Sequence, residues 1–178
     1  GAIDPKAVAR ILRWGAGWLE ALPWARRFKT TASDFGRASS CLDVLAAVGE
    51  QPRLQRMAIV LANDLVERLV CDRVSVGFVG RNGAIRLSAM SHSATVGGQG
   101  RLIDAIENAM EEAVDQRSSI VHPPLRPTER MVTMAHCALA DTIRTASAFF
   151  ISALVLDSKR DPIAVITFER HGNQPFDL

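Results

Sequence analysis

Between Asp72 and His92 the hydrophobic period changes from that of a helix to that of a strand, and this change limits the fold more than any other feature of the chain. Arg73-Val74-Ser75-Val76-Gly77-Phe78-Val79 alternates and is rich in β-branched residues, the pattern of a strand. Arg81-Asn82-Gly83-Ala84 then supplies Asn-Gly, the pair that a two-residue hairpin turn with positive φ demands. Ile85 to His92 is the predicted return strand. Strict alternation puts Ile85, Leu87, Ala89 and Ser91 on one face and Arg86, Ser88, Met90 and His92 on the other. Phe149–Leu156 and Ile163–Arg170 predict a second hairpin, turning through residues 157–162. Strands joined in this way form an antiparallel sheet.

Helical periodicity fills the rest. Residues 41–49 predict a short helix with Leu42, Leu45 and Val48 as its apolar positions, stopped by Gly49 and Pro52. Residues 53–70 predict a longer one whose stripe runs through Met57, Val60, Leu61, Asp64, Leu65, Arg68 and Leu69. Residues 101–116 place Leu102, Ile103, Ile106, Met110, Ala113 and Val114 at core spacing and Glu107, Glu111, Glu112 and Asp115 on an acidic outer face. Ser119–His122 predicts a short strand ended by Pro123 and Pro124, and Thr128–Thr142 a helix carrying Met131, Met134, Ala135, Ala138 and Leu139. Helices lying between the strand pairs make this an α+β sandwich.

Ahead of this body, Asp4 and Pro5 open a helix over 4–22 with Val8, Ile11, Leu12, Gly15, Trp18, Leu19 and Leu22 on one face. Trp24, Arg26, Arg27 and Lys29 make its end basic, and residues 30–40 read as a linker. The expected division is therefore 1–40 (amphipathic helix and linker) and 41–178 (globular domain). At the other end, Phe176-Asp177-Leu178 has the staple, cap and apolar start of a helix, so a truncated C-terminal helix is expected there.

A net charge of +2 without a basic stripe excludes a typical nucleic-acid surface, and the absence of Tyr argues against base-stacking platforms. Cys41, Cys71 and Cys137 are odd in number, widely spaced and free of any CxxC pair, which fits unpaired thiols in a reducing compartment. There is no HExxH motif, and Gly97-Gly98-Gln99-Gly100 lacks the Lys-Ser/Thr that completes a phosphate cradle.

This order of elements resembles a GAF domain (a profilin-like fold), matching over 41–178 without the last helix. The resemblance implies a central antiparallel sheet with flanking helices on one face. A ligand pocket lies on the other, under an intervening helix and loops. Asp72–Val79, Leu87–Ala94 and Ala109–Gln116 are similar, more narrowly, to GAF domains that precede the membrane anchor of bacterial HlyD-type membrane fusion proteins. That likeness implies a cytoplasmic domain of an inner-membrane-anchored secretion or efflux adaptor, and GAF domains often pair as homodimers through their flanking helices.

Under this reading the candidate ligand-binding residues are Ser91, His92 and Ser93 at a strand end, Glu107 and Met110 on the roofing helix, and Met134 and His136 on the late helix. Residues 94–101 and 122–130 are the loops expected to close over a guest. Each residue has a plain structural alternative: His92 capping the strand, Glu107 on a solvated face, Met110 in the core. Bilin attachment is rejected because His136-Cys137 reverses the required order, and haem ligation by His92 or His136 has no supporting motif. The cyclic-nucleotide pattern is missing. The expected function is small-ligand sensing without catalysis, with no cofactor and an unidentified small molecule as partner. The alternatives are a structural dimerisation module and, as an enzyme, a thiol-based methionine sulfoxide reductase using Cys71 and Cys137.

Overall fold

The computed structural model describes residues 36, 39–93, 100–124, 131–143, 148–172 and 176. The helix expected over 4–22, most of the linker, the glycine-rich loop and the helix start at 177 lie outside these residues. The chain divides into two compact units, Gly1–Leu45 and Ala46–Leu178. Residues 39–49 are helical (α1), with Leu42 and Leu45 exposed.

The second unit holds α2 (Leu54–Arg68), β1 (Arg73–Val79), β2 (Ile85–Met90), α3 (Gly100–Asp115), β3 (Ile120–His122), α4 (Met134–Ile143), β4 (Ala148–Leu156) and β5 (Pro162–His171). The strands form one sheet in the order β2-β1-β5-β4-β3, and every neighbouring pair is antiparallel. Both expected hairpins are present; the β1–β2 connection runs over residues 80–84, and within its Asn-Gly pair Gly83, not Asn82, takes the positive φ.

α2 covers one face, where Ala58, Ala62 and Val66 pack against Val74, Val76 and Ala89. The buried ridge is therefore offset by one position from the stripe expected through Met57, Val60 and Leu61. Small residues at i, i+4 and i+8 sit where the helix comes closest to the sheet, while Leu61 and Leu65 flank the contact and Leu69 stands exposed.

α3 and α4 roof the other face. Ile106, Ala109 and Met110 of α3 and Leu139 of α4 pack on Ile85, Met90, Ala148, Phe150 and Val165. Gly77 is required here, since a Cβ would lie 2.6 Å from Met110 Sδ and 2.7 Å from Ile85 Cγ2.

Two local expectations are corrected. Alternation along β2 is broken by a bulge: Val76 pairs with Ala89 and Gly77 with Leu87, so Ser88 is the extra residue. The parity change puts Ala89 under α2 and Met90 under the roof, opposite to the predicted faces. The helix expected from Thr128 begins at Met134, and residues 131–133 are non-helical. The Gln116 side chain holds that approach: its Nε2 donates to Val132 C=O at 2.8 Å, and its Oε1 accepts Val132 N–H at 2.9 Å.

Candidate functional site

The residues named from sequence fall into separate surroundings. Ser91 prolongs the β1–β2 ladder: its Oγ accepts Val74 N–H at 3.0 Å and its own N–H reaches Val74 C=O at 2.8 Å. His92 is exposed with φ 58, and its N–H donates to Asn63 Oδ1 of α2 at 3.0 Å. Ser93 N–H lies 3.3 Å from Met90 C=O. This turn is thus tied to α2, on the face opposite the roof.

Glu107 reaches the edge strand. Its Oε1 accepts Leu87 N–H at 2.8 Å, and Glu111 Oε1 accepts Ile85 N–H at 3.0 Å. Four helical residues advance about 6 Å and two strand residues about 6.7 Å, so two glutamates one turn apart fit alternate free N–H groups of β2. The acidic face expected to be solvated instead caps the sheet edge.

Met110 is wholly buried between α3 and the sheet. Met134 is 78% exposed and lines an open surface groove of about 470 Å³ with Asn108, Glu111, Asp115 and Val132.

His136 is the sequence-named residue at the centre of a network. Its Nδ1 lies 2.7 Å from Glu112 Oε2 and its Nε2 2.9 Å from Ser152 Oγ, which is itself 2.9 Å from Thr167 Oγ1. A carboxylate only accepts, so Nδ1 carries the proton, and Nε2 of the neutral ring accepts from the Ser152 hydroxyl. Burial depresses the His136 pKa, against the raising pull of Glu112. Burial pushes Glu112 up, but hydrogen bonds from the His136 ring and from the Ala135 and His136 N–H groups outweigh it and leave the carboxyl below its usual range. Glu112 thereby caps the start of α4 from a neighbouring helix.

The arrangement has the connectivity of a Ser–His–Glu triad, but both His136 and Ser152 are 0% exposed. Ser152 points from the middle of the sheet into packed side chains and cannot meet a substrate carbonyl. Both imidazole nitrogens of His136 are also already engaged, so haem ligation would break the network.

Strand register extends this network across the sheet floor. On the roofed face, Ser152 is level with Thr167, and Thr167 with Ser75. One row toward the strand ends lie His122, Phe150, Glu169 and Arg73, again level with one another. Ser75, Ser152, Thr167 and Glu169 are all buried. Glu169 Oε1 is bonded to His171 Nε2, and its Oε2 lies 3.4 Å from Arg73 Nη1. His171 N–H donates to Asp72 Oδ2 at 2.6 Å.

His122 stacks obliquely near His136, ring centroids 6.4 Å apart, and its pKa is lowered first by burial and then by His136. Two buried polar atoms here have no hydrogen-bond partner among the described residues, Arg73 Nη1 and His122 Nδ1. The row spans three strand spacings, about 14 Å, at the sheet end where β1 and β4 begin and β2, β3 and β5 finish.

Sequence reading missed Arg73, Ser75, His122, Ser152, Thr167, Glu169 and His171 as a group. Their signal is positional. In a strand covered on both faces, a polar residue at every second place has to be internal, as at Arg73/Ser75 and Thr167/Glu169/His171.

Cys71 follows α2 and packs on the α2 face, with burial raising its pKa, whereas Cys137 is exposed on α4 over the opposite face. The sheet lies between them, which disfavours a redox pair. Among the described residues, no group of three or more His, Cys, Asp or Glu is placed to hold a metal ion, and no helix is long and apolar enough to cross a membrane.

No family model and no curated protein matches the chain. Among solved structures, the nlh2 GAF domain of A. aeolicus in an inactive state aligns with a TM-score of 0.54 at 8% identity, covering 79% of this chain and 83% of that one. The GAF domain of a phosphoenolpyruvate-protein phosphotransferase from Coxiella burnetii aligns with a TM-score of 0.52 at 14% identity, covering 77% and 81%. The architecture is therefore GAF-like: a five-stranded antiparallel sheet between α2 and a roof of α3 and α4.

Proposed function

We propose that this GAF-fold chain is a non-catalytic regulatory domain that binds a small polar ligand over the roofed face of the sheet, at the end where Arg73, Glu169 and His122 lie. The observation that carries the reading is the pair of buried polar atoms without a hydrogen bond among the described residues, Arg73 Nη1 and His122 Nδ1, in one row of that floor. Buried polar groups in folded proteins almost always find a partner, and one without a protein partner is the natural contact of a bound molecule or water. The sealing of Ser152 supports the non-catalytic part. The Glu112–His136–Ser152–Thr167 chain supplies a route to a response, because it joins both roof helices to two central strands beside the floor. A ligand that favours one setting of that chain shifts α4 by its differential affinity for the two settings.

The HlyD-like segments support a finer proposal, that the parent is a membrane-anchored bacterial secretion or efflux adaptor with this domain on its cytoplasmic side.

A thermal-shift screen of polar metabolites tests the reading. A ligand at 100 times its Kd stabilises by about 2.7 kcal/mol, and His122→Phe, which keeps a ring and removes the Nδ1 that lacks a hydrogen bond among the described residues, is expected to weaken that response. Absence of stabilisation by any metabolite would count against ligand binding.

One observation favours a second reading, a dimerisation module without a ligand. The apolar half of the roofed space is filled by Ile106, Met110, Leu139 and Phe150, all fully buried. Light scattering on the full chain and on a chain beginning at Ser40 tests it: a dimer that needs residues 1–39, together with no ligand response, supports this reading.

A further inference from the structure

We propose that Arg73 anchors an anion subsite, which takes a compact oxyanion (a carboxylate or a phosphoryl group) carried by the ligand. This rests on the ligand-binding reading of the floor and adds the chemical class of what is bound.

The argument starts from what a guanidinium can do. It presents donors in a planar fork and has no acceptor, so only an acceptor completes it, and a two-oxygen anion does so with two parallel bonds. In this fold the fork is placed but not closed. Nη1 is buried and donates no hydrogen bond among the described residues. Glu169 Oε2 lies 3.4 Å away, an ion-pair distance outside good hydrogen-bond geometry, and Oε1 of the same carboxylate is bonded to His171. Glu169 therefore balances the charge that burial makes costly without occupying the donors.

Exposure sets the sign that a solute meets. The Glu169 side chain is 3% exposed, whereas Arg73 is 25% and His171 28% exposed. The carboxylate is beneath, and the two groups reachable from solvent are a permanent cation and an imidazole. One row further in on the same face lie the buried Ser75 and Thr167, and the Thr167 hydroxyl is committed to Ser152 Oγ, so the contact offered to a solute is that of Arg73 and His171. A cationic ligand would meet Arg73 first and be repelled. A neutral one could accept from a single donor but would lack the charged pair of oxygens that matches the fork.

The test is an NMR titration of the full chain, following the Arg73 Nε–Hε signal and the His171 ring against sodium acetate, inorganic phosphate and sodium chloride at matched ionic strength. The expected result is a saturable shift with acetate or phosphate, with Kd of roughly 1–10 mM for so small a probe, and none with chloride. The probe that saturates tells a carboxylate from a phosphoryl group. In the Arg73 variants the His171 ring is the reporter, and Arg73→Gln is expected to abolish its shift. Arg73→Lys, which keeps the charge and loses the fork, is expected to weaken binding about tenfold and is the variant to read if Arg73→Gln alters amide signals away from the site.

A shift that grows only with ionic strength, or that survives in Arg73→Gln, overturns the proposal. So does stabilisation by neutral or cationic metabolites with no response to either anion, which leaves ligand binding itself standing. No response to any of these compounds overturns both.

Discussion

Glu112 Oε2 on α3 lies 2.7 Å from His136 Nδ1 on α4, and the same carboxylate accepts the backbone N–H groups of Ala135 and His136. One side chain therefore starts a helix, fixes a buried tautomer and ties the two roof helices together. Removing it strands three donors. Glu112→Ala is expected to destabilise the fold by about 2–4 kcal/mol, combining the loss of a helix cap with unmet buried donors. Glu112→Gln should cost less because it retains one acceptor. Denaturant midpoints of the two variants check the order.

The same pair predicts an acid-sensitive domain. Burial lowers the folded-state pKa of His136 and of His122 below the ordinary 6.5. The unfolded chain then binds protons more readily, so the stability these groups confer is complete above pH 6.5 and is lost as pH falls through their folded values. Glu112, also lowered, from 4.5, adds a further loss at still lower pH. Each histidine contributes a slope of at most about 1.4 kcal/mol per pH unit. Unfolding free energy measured from pH 7.5 to 5 should decline below pH 6.5, and His136→Gln should flatten that decline.

Val70 is a β-branched residue at φ 51, 77% exposed, just after α2, where Cys71 N–H reaches back to Val66 C=O at 3.0 Å. Helices commonly end in this conformation with glycine. Val70→Gly should stabilise by about 1 kcal/mol, raising the melting temperature by about 2–4 °C. An unchanged or lower melting temperature would show that the left-handed backbone carries no strain here.

Glu107 and Glu111 guard the β2 edge. Replacing both with Ala frees the Leu87 and Ile85 N–H groups. Amide exchange at those two positions should accelerate about tenfold or more, for a loss of about 1.4 kcal/mol or more, and the chain should self-associate more readily through the exposed edge. Equal exchange in the double variant would mean that the carboxylates do not protect the strand.

The sheet was legible because Val74 and Val76 alternate with Arg73, Ser75 and Gly77, Phe168 stands between Thr167 and Glu169, and Asn82-Gly83 marks a turn. Those are local signals, and the elements they mark occur in the structure. The bulge at Ser88 was not legible, since it depends on how β2 sits against β1 and leaves no mark in the period of β2 alone. Glu112 looked like part of a solvated face because the residue it caps, Ala135, is twenty-three positions away in sequence. His136 could be singled out but not placed: its partners Glu112 and Ser152 come from α3 and β4, and only packing brings them together. Arg73 and Glu169 fall inside predicted strands and carry no local mark that sets them apart. Covering the sheet on both faces turned them inward.

Amide hydrogen exchange of the full chain, with and without the metabolite that stabilises it most, tests the central claim that the polar row is a ligand floor. Added protection should appear at Arg73–Ser75, at Thr167–His171 and in the first turn of α4. Protection confined to other surfaces, or no metabolite that changes exchange at any of these positions, would contradict it.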